Sequence, residues 1–136
     1  MLGKSGRGAY RIGIAAALAA SFLEVWINLA VGIVGSEDNP ANQGFFLVVA
    51  AAGACAFTAR LRAEGMARAM LAVGGVQALL ALAIATAPST VRDDPKGAIG
   101  VLVLSAGFVA LWLVSAALFH RSARIAAGAM MPGCRD

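Results

Sequence analysis

Four apolar stretches, each about the length needed to cross a lipid bilayer, take up most of this 136-residue chain. A transmembrane helix needs roughly 20 apolar residues, and in lipid it satisfies its own backbone hydrogen bonds. Charged residues make up only 13% of the chain, compared with about 25% in a soluble domain. The connections are short, so consecutive helices have to be antiparallel neighbours. The sequence therefore predicts an all-α integral membrane protein, a single transmembrane domain over residues 1–136 forming an up-down four-helix bundle.

Turn and capping residues between the stretches predict where the helices begin and end. Asn39-Pro40 and Asp94-Pro95 are typical helix starts, with a capping side chain before a proline at the first position. Gly65 is expected to stop or redirect the helix in the turn after the second stretch. The first stretch follows basic residues, as in a signal peptide, but it is longer than the usual apolar core of about 7–15 residues and is predicted to stay uncleaved. The predicted helices cover residues 12–34, 40–59, 66–87 and 95–119, followed by an interfacial tail at 120–136.

Basic residues are divided unevenly between the two predicted sides of the membrane. Nine of the 11 lysines and arginines fall on the side that holds both termini, and only Arg92 and Lys96 fall on the other. The positive-inside rule therefore places both termini in the cytoplasm. This distribution explains the net charge of +4 without a nucleic-acid partner, since no aromatic-rich basic surface is present. The nine are Lys4, Arg7, Arg11, Arg60, Arg62, Arg68, Arg121, Arg124 and Arg135.

One carboxylate, Glu24, lies near the middle of the first apolar stretch. Ionisable groups are costly inside a membrane, so they are the first candidates for function. Ser21, Glu24 and Asn28 share one helix face by their spacing, which is expected to point into the bundle. Gln77 on the third helix lies at a similar depth by residue count and is the predicted internal partner of Glu24. Small residues on or beside the same face, which allow close helix approach, are Ala17, Ala20, Gly32 and Gly35.

The polar site Ser21, Glu24, Asn28 and Gln77 leaves three interpretations open. A protonated Glu24 can hydrogen-bond Gln77 or Asn28 and set the helix register, a contact worth about 1 kcal/mol in membranes. The carboxyl can instead bind a proton or a cation and couple its movement to a gradient. It can also contact another subunit. Ser105 and Ser115 on the fourth helix are further candidate donors.

Other functional signatures are weak. Arg60, Arg62, Arg68, Arg121 and Arg124 are predicted to contact anionic lipid headgroups, so membrane lipids are expected partners. The acidic loop before Pro40 matches no defined calcium loop and is expected to be solvated. His120 lacks a second ligand for haem, and Cys55 and Cys134 form no metal-binding motif. No catalytic set, metal site or cofactor motif is present in the sequence, which predicts that the protein is not an enzyme.

Three segments resemble a group of small, uncharacterised four-helix membrane proteins of proteobacteria. They are Ser36-Glu37-Asp38-Asn39-Pro40-Ala41-Asn42, Arg62-Ala63-Glu64-Gly65-Met66-Ala67-Arg68-Ala69 and Gly107-Phe108-Val109-Ala110-Leu111-Trp112. The resemblance covers about residues 12–124 and implies a multi-pass protein of the bacterial inner membrane. It implies no activity.

The leading functional prediction is a non-enzymatic packing, accessory or assembly component of the inner membrane. Small-residue segments at Gly74-Gly75 and Ala50–Ala54 favour close contact with a second copy of the chain or with a larger membrane complex. The alternative is a small proton-coupled transporter or ion-conducting protein that uses Glu24.

Overall fold

The computed structural model describes residues 4–93, 95–131 and 133, and within them all regular structure is helical. The α-helices are α1 (Lys4–Ala30), α2 (Gln43–Thr58), α3 (Ala63–Ala85), α4 (Pro88–Asp93) and α5 (Pro95–Met130), and a 3-10 turn at Pro40–Asn42 leads into α2. Four helical segments are long and apolar enough to cross a membrane: Lys4–Ala30, Pro40–Thr58, Ala63–Ala85 and Gly97–Met130. The prediction of an all-α chain with four such helices is confirmed. Asp94, the predicted cap before Pro95, lies outside the described residues, as do Cys134 and Arg135.

The helices pack as a ring in which α5 closes the bundle. α5 makes its main contacts with α3 and α1, and α2 lies between α3 and α1 on the other side. On α1 and α5, Gly13 contacts Ser115 and Gly6 contacts Ser122. Residue numbers rise on one helix as they fall on the other, so these two helices run in opposite directions. Helices α1 and α3 lie diagonally opposite each other in the bundle, so their inward faces meet at its centre.

Helix α5 is longer than predicted. It covers 36 residues, or about 54 Å at about 1.5 Å per residue, whereas the hydrocarbon core of a bilayer is about 30 Å thick. The predicted helix ended at residue 119, and the structure continues it as one α-helix to Met130. The expected loop after the third helix contains the short helix α4.

Helix α1 begins at Lys4 and ends at Ala30, earlier at both ends than the predicted residues 12–34. Gly32 ends it: this residue has φ +73°, and its N–H donates to the carbonyl oxygen of Ile27 over 3.1 Å, as in a glycine C-cap. The chain then turns back, and Ile33 and Val34 are buried. Gly32 and Gly35 therefore belong to a loop and not to the polar face of α1.

The turn between α2 and α3 differs from the prediction. Gly65 lies within α3, and the left-handed residues of the turn are Arg60 (φ 49°) and Leu61 (φ 55°). Gly65 has a different role, because a Cβ atom there would lie 2.9 Å from Cβ of Ala59. The glycine lets α3 start directly against the end of α2.

Asn42 holds the loop between α1 and α2 in place. Its side-chain oxygen accepts hydrogen bonds from the N–H groups of Ile33 (3.0 Å) and Val34 (2.8 Å), and its amide donates to the carbonyl oxygen of Ser36 (2.6 Å). Asn39 caps the following turn by accepting from the N–H of Ala41, as predicted.

Candidate polar site in the bundle core

The inward face of α1 carries small residues in its first half and polar residues in its second. Gly6, Ala9, Gly13 and Ala20 are buried there, and one turn further on so are Glu24 and Asn28. Glu24 is 0% exposed and Asn28 2%. The structure therefore places two of the three predicted polar residues of α1, Glu24 and Asn28, inside the bundle.

Ser21 is placed differently from Glu24 and Asn28. Its side chain is half-buried and lines a groove of about 270 Å³ on the side of the bundle, together with Ala52 of α2, Met70 of α3 and Trp112 of α5. Ser21 thus lies between the core and the surface. Trp26, expected off the polar face, is 61% exposed.

Gln77 reaches the same centre from α3. It is 0% exposed, and its side chain interacts with the carboxyl group of Glu24. No donor and acceptor of the two groups have normal hydrogen-bond geometry, however, and all four of their oxygen and nitrogen atoms lack a hydrogen-bond partner. Glu24 and Gln77 are therefore neighbours, and a register-setting hydrogen bond from a protonated Glu24 to Gln77 or Asn28 stays a prediction.

Helix α5 adds Ser105 to this group. Its hydroxyl is buried without a hydrogen-bond partner. Helices α1 and α5 are antiparallel, and Gly13 pairs with Ser115 and Gly6 with Ser122. The same register pairs Glu24 with residue 104, which is adjacent to Ser105. Ser105 therefore lies level with Glu24, and these two residues with Asn28 and Gln77 form what we call the core polar site.

Ser115, the other predicted donor, lies elsewhere and is satisfied. It donates to the carbonyl oxygen of Gly13 over 2.8 Å, and Ser122 donates to that of Gly6 over 3.0 Å. These bonds use backbone oxygens that α1 already employs in its own helix, so they tie α5 to α1 without adding an unpaired group. Their function is to hold the two helices in register.

Trp112 was not a candidate from the sequence. It is 0% exposed, its Cβ lies 3.4 Å from the position that a Cβ on Gly74 would take, and its indole N–H has no acceptor. Since Gly74 lies about one helical turn before Gln77 on α3, Trp112 lies about one turn from Gln77. Alternating spacings of four and three along α5 could have indicated it, since they connect the buried residues Val101, Ser105, Phe108, Trp112, Ser115, Phe119 and Ser122.

Electrostatically, the core polar site holds one formal charge. Between Ile12 and Ala30 the only acidic or basic residue is Glu24. Helix α2, the part of α3 beyond Arg68 and α5 from Gly97 to Phe119 contain no Asp, Glu, Lys, Arg or His. A buried group without a partner calls for an explanation such as an ion, a water or a catalytic role. With amide, hydroxyl and carboxyl oxygens at one depth, the arrangement can bind a proton or a cation.

The basic residues predicted to contact lipid headgroups are all exposed, as such contacts require. Arg68 also forms an ion pair with Glu64 one turn earlier on α3, and it borders, with His120, a shallow groove of about 320 Å³ between α3 and α5. Cys55 is half-buried and free. Within the described part of the chain, no three His, Cys, Asp or Glu residues are grouped so as to hold a metal ion. The headgroup residues are Arg60, Arg62, Arg68, Arg121 and Arg124.

Comparison of the chain with protein families, curated proteins and solved structures finds no match.

Proposed function

We propose that the protein is a multi-pass protein of the bacterial inner membrane whose four long helices cross in an up-down arrangement with both termini in the cytoplasm. The four apolar helices support membrane insertion. The nine-to-two division of basic residues supports the orientation. Reporter fusions at Asn39, Arg62, Arg92 and Met130 test it. Periplasmic activity is expected at Asn39 and Arg92 only, and a periplasmic signal at Arg62 would overturn the arrangement.

Within that membrane we infer a non-enzymatic role in assembly, in which the bundle packs against a second copy or a larger membrane complex. The observation that carries this inference is the open surroundings of two glycines on the outer faces. A Cβ atom on Gly53 of α2 or on Gly75 of α3 would have no neighbour within 4 Å. Without a strong hydrophobic drive between helices in lipid, close contact at small residues is a main source of association.

Leucine at either glycine tests this assembly role. Gly53→Leu and Gly75→Leu fill open space, so the bundle should fold, but a partner helix could no longer approach closely. Light scattering of the protein in mild detergent, or co-purification with its partner, should show loss of the assembly. Gly128→Leu is the control, because Gly128 has equally open surroundings but lies beyond the predicted spanning segment of α5. A monomeric wild type without co-purifying protein would refute the assembly role.

A second candidate function, proton-coupled or ion transport, is favoured by the unpartnered core polar site. Four fully buried polar side chains without hydrogen bonds are a poor structural contact but a reasonable ion site. The test is flux into proteoliposomes under a pH or cation gradient, wild type against Glu24→Gln. Glutamine is nearly isosteric with a protonated glutamate, so the fold should survive while flux is lost. Flux equal to that of empty liposomes for the wild type would remove this candidate.

A further inference from the structure

The core polar site is a set of oxygen atoms with one negative charge. Glu24 supplies a carboxylate from α1, and Asn28 supplies an amide oxygen one turn further along the same helix. Gln77 adds an amide oxygen from α3 and Ser105 a hydroxyl oxygen from α5. Each of these side chains is at most 2% exposed, and none has a hydrogen-bond partner. Oxygen ligands of this kind suit hard cations, which membrane proteins bind at the meeting point of several helices.

The charge of the occupant follows from the charge of the site. Glu24 is the one charged side chain at this depth, and no lysine or arginine lies in the apolar parts of the four long helices. A buried carboxylate without a compensating charge is very unstable in an apolar medium. A monovalent cation makes the site neutral, whereas a divalent cation leaves an excess positive charge and normally requires more carboxylates.

A proton also neutralises Glu24, but it gives a partner to fewer of the four polar side chains than a metal cation does. Protonation gives the carboxyl one O–H donor, which can serve one acceptor. The hydroxyl of Ser105 and the two amide groups would then have to satisfy one another, and no hydrogen bond joins them in this structure. A metal cation contacts several oxygens at once and so gives a role to all four side chains.

We propose that the core polar site binds a monovalent alkali-metal cation, with the Glu24 carboxylate as the charged ligand and the oxygens of Asn28, Gln77 and Ser105 as neutral ligands. The proposal shares its site with the second candidate function but does not require transport, because a bound cation can equally stabilise the bundle. Binding and flux are therefore measured separately.

Trp112 offers a reporter beside the site, one helical turn from Gln77. The chain contains two tryptophans, so a Trp26→Phe background leaves Trp112 as the one tryptophan, and Trp26 itself is 61% exposed. The purified protein in detergent is titrated with Na⁺, K⁺ or Li⁺ against N-methyl-D-glucamine at constant ionic strength. Trp112 emission and the thermal unfolding midpoint are recorded. A ligand that binds only the folded state raises that midpoint as its concentration increases.

At least one alkali cation is expected to give a saturable change in both signals. Glu24→Gln should abolish the response, and Ser105→Ala should weaken the apparent affinity by roughly 10-fold. Ser122→Ala is the matched control: it removes another buried hydroxyl from α5, one that is hydrogen-bonded to Gly6 far from the site, while the Ser115–Gly13 contact still holds the register. It should lower stability without changing the cation concentration at half-saturation.

Two results would overturn the proposal. One is a wild type whose emission and unfolding midpoint are the same in all three cations as in N-methyl-D-glucamine. The other is an equal loss of affinity in Ser105→Ala and Ser122→Ala, which would mean that Ser105 is not a ligand. Binding without flux would support the cation site and remove the transport candidate. Proton flux without alkali-cation binding would keep the transport candidate and refute the cation site.

Discussion

The hydroxyl of Ser115 on α5 donates a hydrogen bond to the carbonyl oxygen of Gly13 on α1 over 2.8 Å, and both groups are buried. The approach is possible because Gly13 has no side chain. A Cβ atom there would already lie 3.3 Å from the Phe119 ring. The aromatic residue fills the space that the glycine leaves, and the serine uses the backbone that the glycine exposes. This contact sets the register that carries Ser105 to the level of Glu24.

Leucine at position 13 should therefore destabilise the bundle. Gly13→Leu forces Phe119 to move and separates α1 from α5, at a cost of about 1–3 kcal/mol as for other overpacked cores. The measurement is the unfolding free energy in mixed micelles by denaturant titration. Gly8→Leu is the control on the same helix, since a Cβ at Gly8 meets nothing within 4 Å. Equal effects of the two substitutions would contradict the close contact at Gly13.

Removing the Asn42 side chain should be among the most damaging changes in the loop region. Asn42→Ala leaves the N–H groups of Ile33 and Val34 buried without acceptors, and each unsatisfied group costs about 1–3 kcal/mol. Asn42→Asp keeps the acceptor oxygen but loses the donor to Ser36, so its effect should be smaller.

Gln43→Ala, at the exposed neighbouring position, is the control for the Asn42 variants. Unfolding free energies of all three proteins and proteolysis within the loop at residues 31–39 provide the comparison. An Asn42→Ala protein as resistant to both as Gln43→Ala would show that the loop is held by other contacts.

Alanine substitutions at Gly32 and Gly35 should lower stability by different amounts, although both glycines have a left-handed backbone. Gly32→Ala and Gly35→Ala each pay the left-handed penalty of roughly 1–2 kcal/mol. Only at Gly32 does the new Cβ clash with backbone, lying 2.5 Å from the carbonyl carbon and oxygen of Ser36, whereas at Gly35 the nearest atom is 3.7 Å away. Gly32→Ala should therefore destabilise the protein clearly more than Gly35→Ala in the same unfolding assay. The reverse order would refute this account of the loop.

At the α2–α3 turn, introducing a glycine at position 60 should stabilise the protein, and replacing the glycine at position 65 should destabilise it. Arg60→Gly relieves a left-handed conformation at an exposed residue and is expected to raise the unfolding free energy by up to about 1 kcal/mol. Gly65→Ala should lower it, because its Cβ would be 2.9 Å from that of Ala59. Thermal melts in detergent measure both. A stabilising Gly65→Ala would show that α2 and α3 are not in close contact there.

The ion pair between Glu64 and Arg68 should contribute little to the stability of the protein. Both side chains are more than 70% exposed, and exposed pairs one turn apart contribute about 0.3–0.5 kcal/mol. Glu64→Ala is expected to change the unfolding midpoint by less than any of the loop substitutions. Insensitivity of that small effect to added salt would argue against an electrostatic contribution.

Local properties of the sequence were enough to predict the four helices and the burial of two polar residues of α1. Length and apolar content decide whether a segment can cross a membrane, and the helical repeat alone puts Glu24 and Asn28 on one side. Both residues are buried. The pairing of Glu24 with Gln77 also followed from residue counting, since both helices were expected to start on the same side.

Tertiary structure decided what these side chains contact. The shared register of α1 and α5 depends on Gly13, Ser115 and Phe119 fitting together, and no local pattern encodes that fit; it brings Ser105 to the core polar site. The loop was also misjudged, because Gly32 was counted as part of the helix face although the following backbone folds back against it. The sequence by itself determines which segments are helical and which of their faces are polar, since these depend on residues a turn or two apart. Which faces meet, and which buried groups are left without partners, depends on packing between residues far apart in the chain.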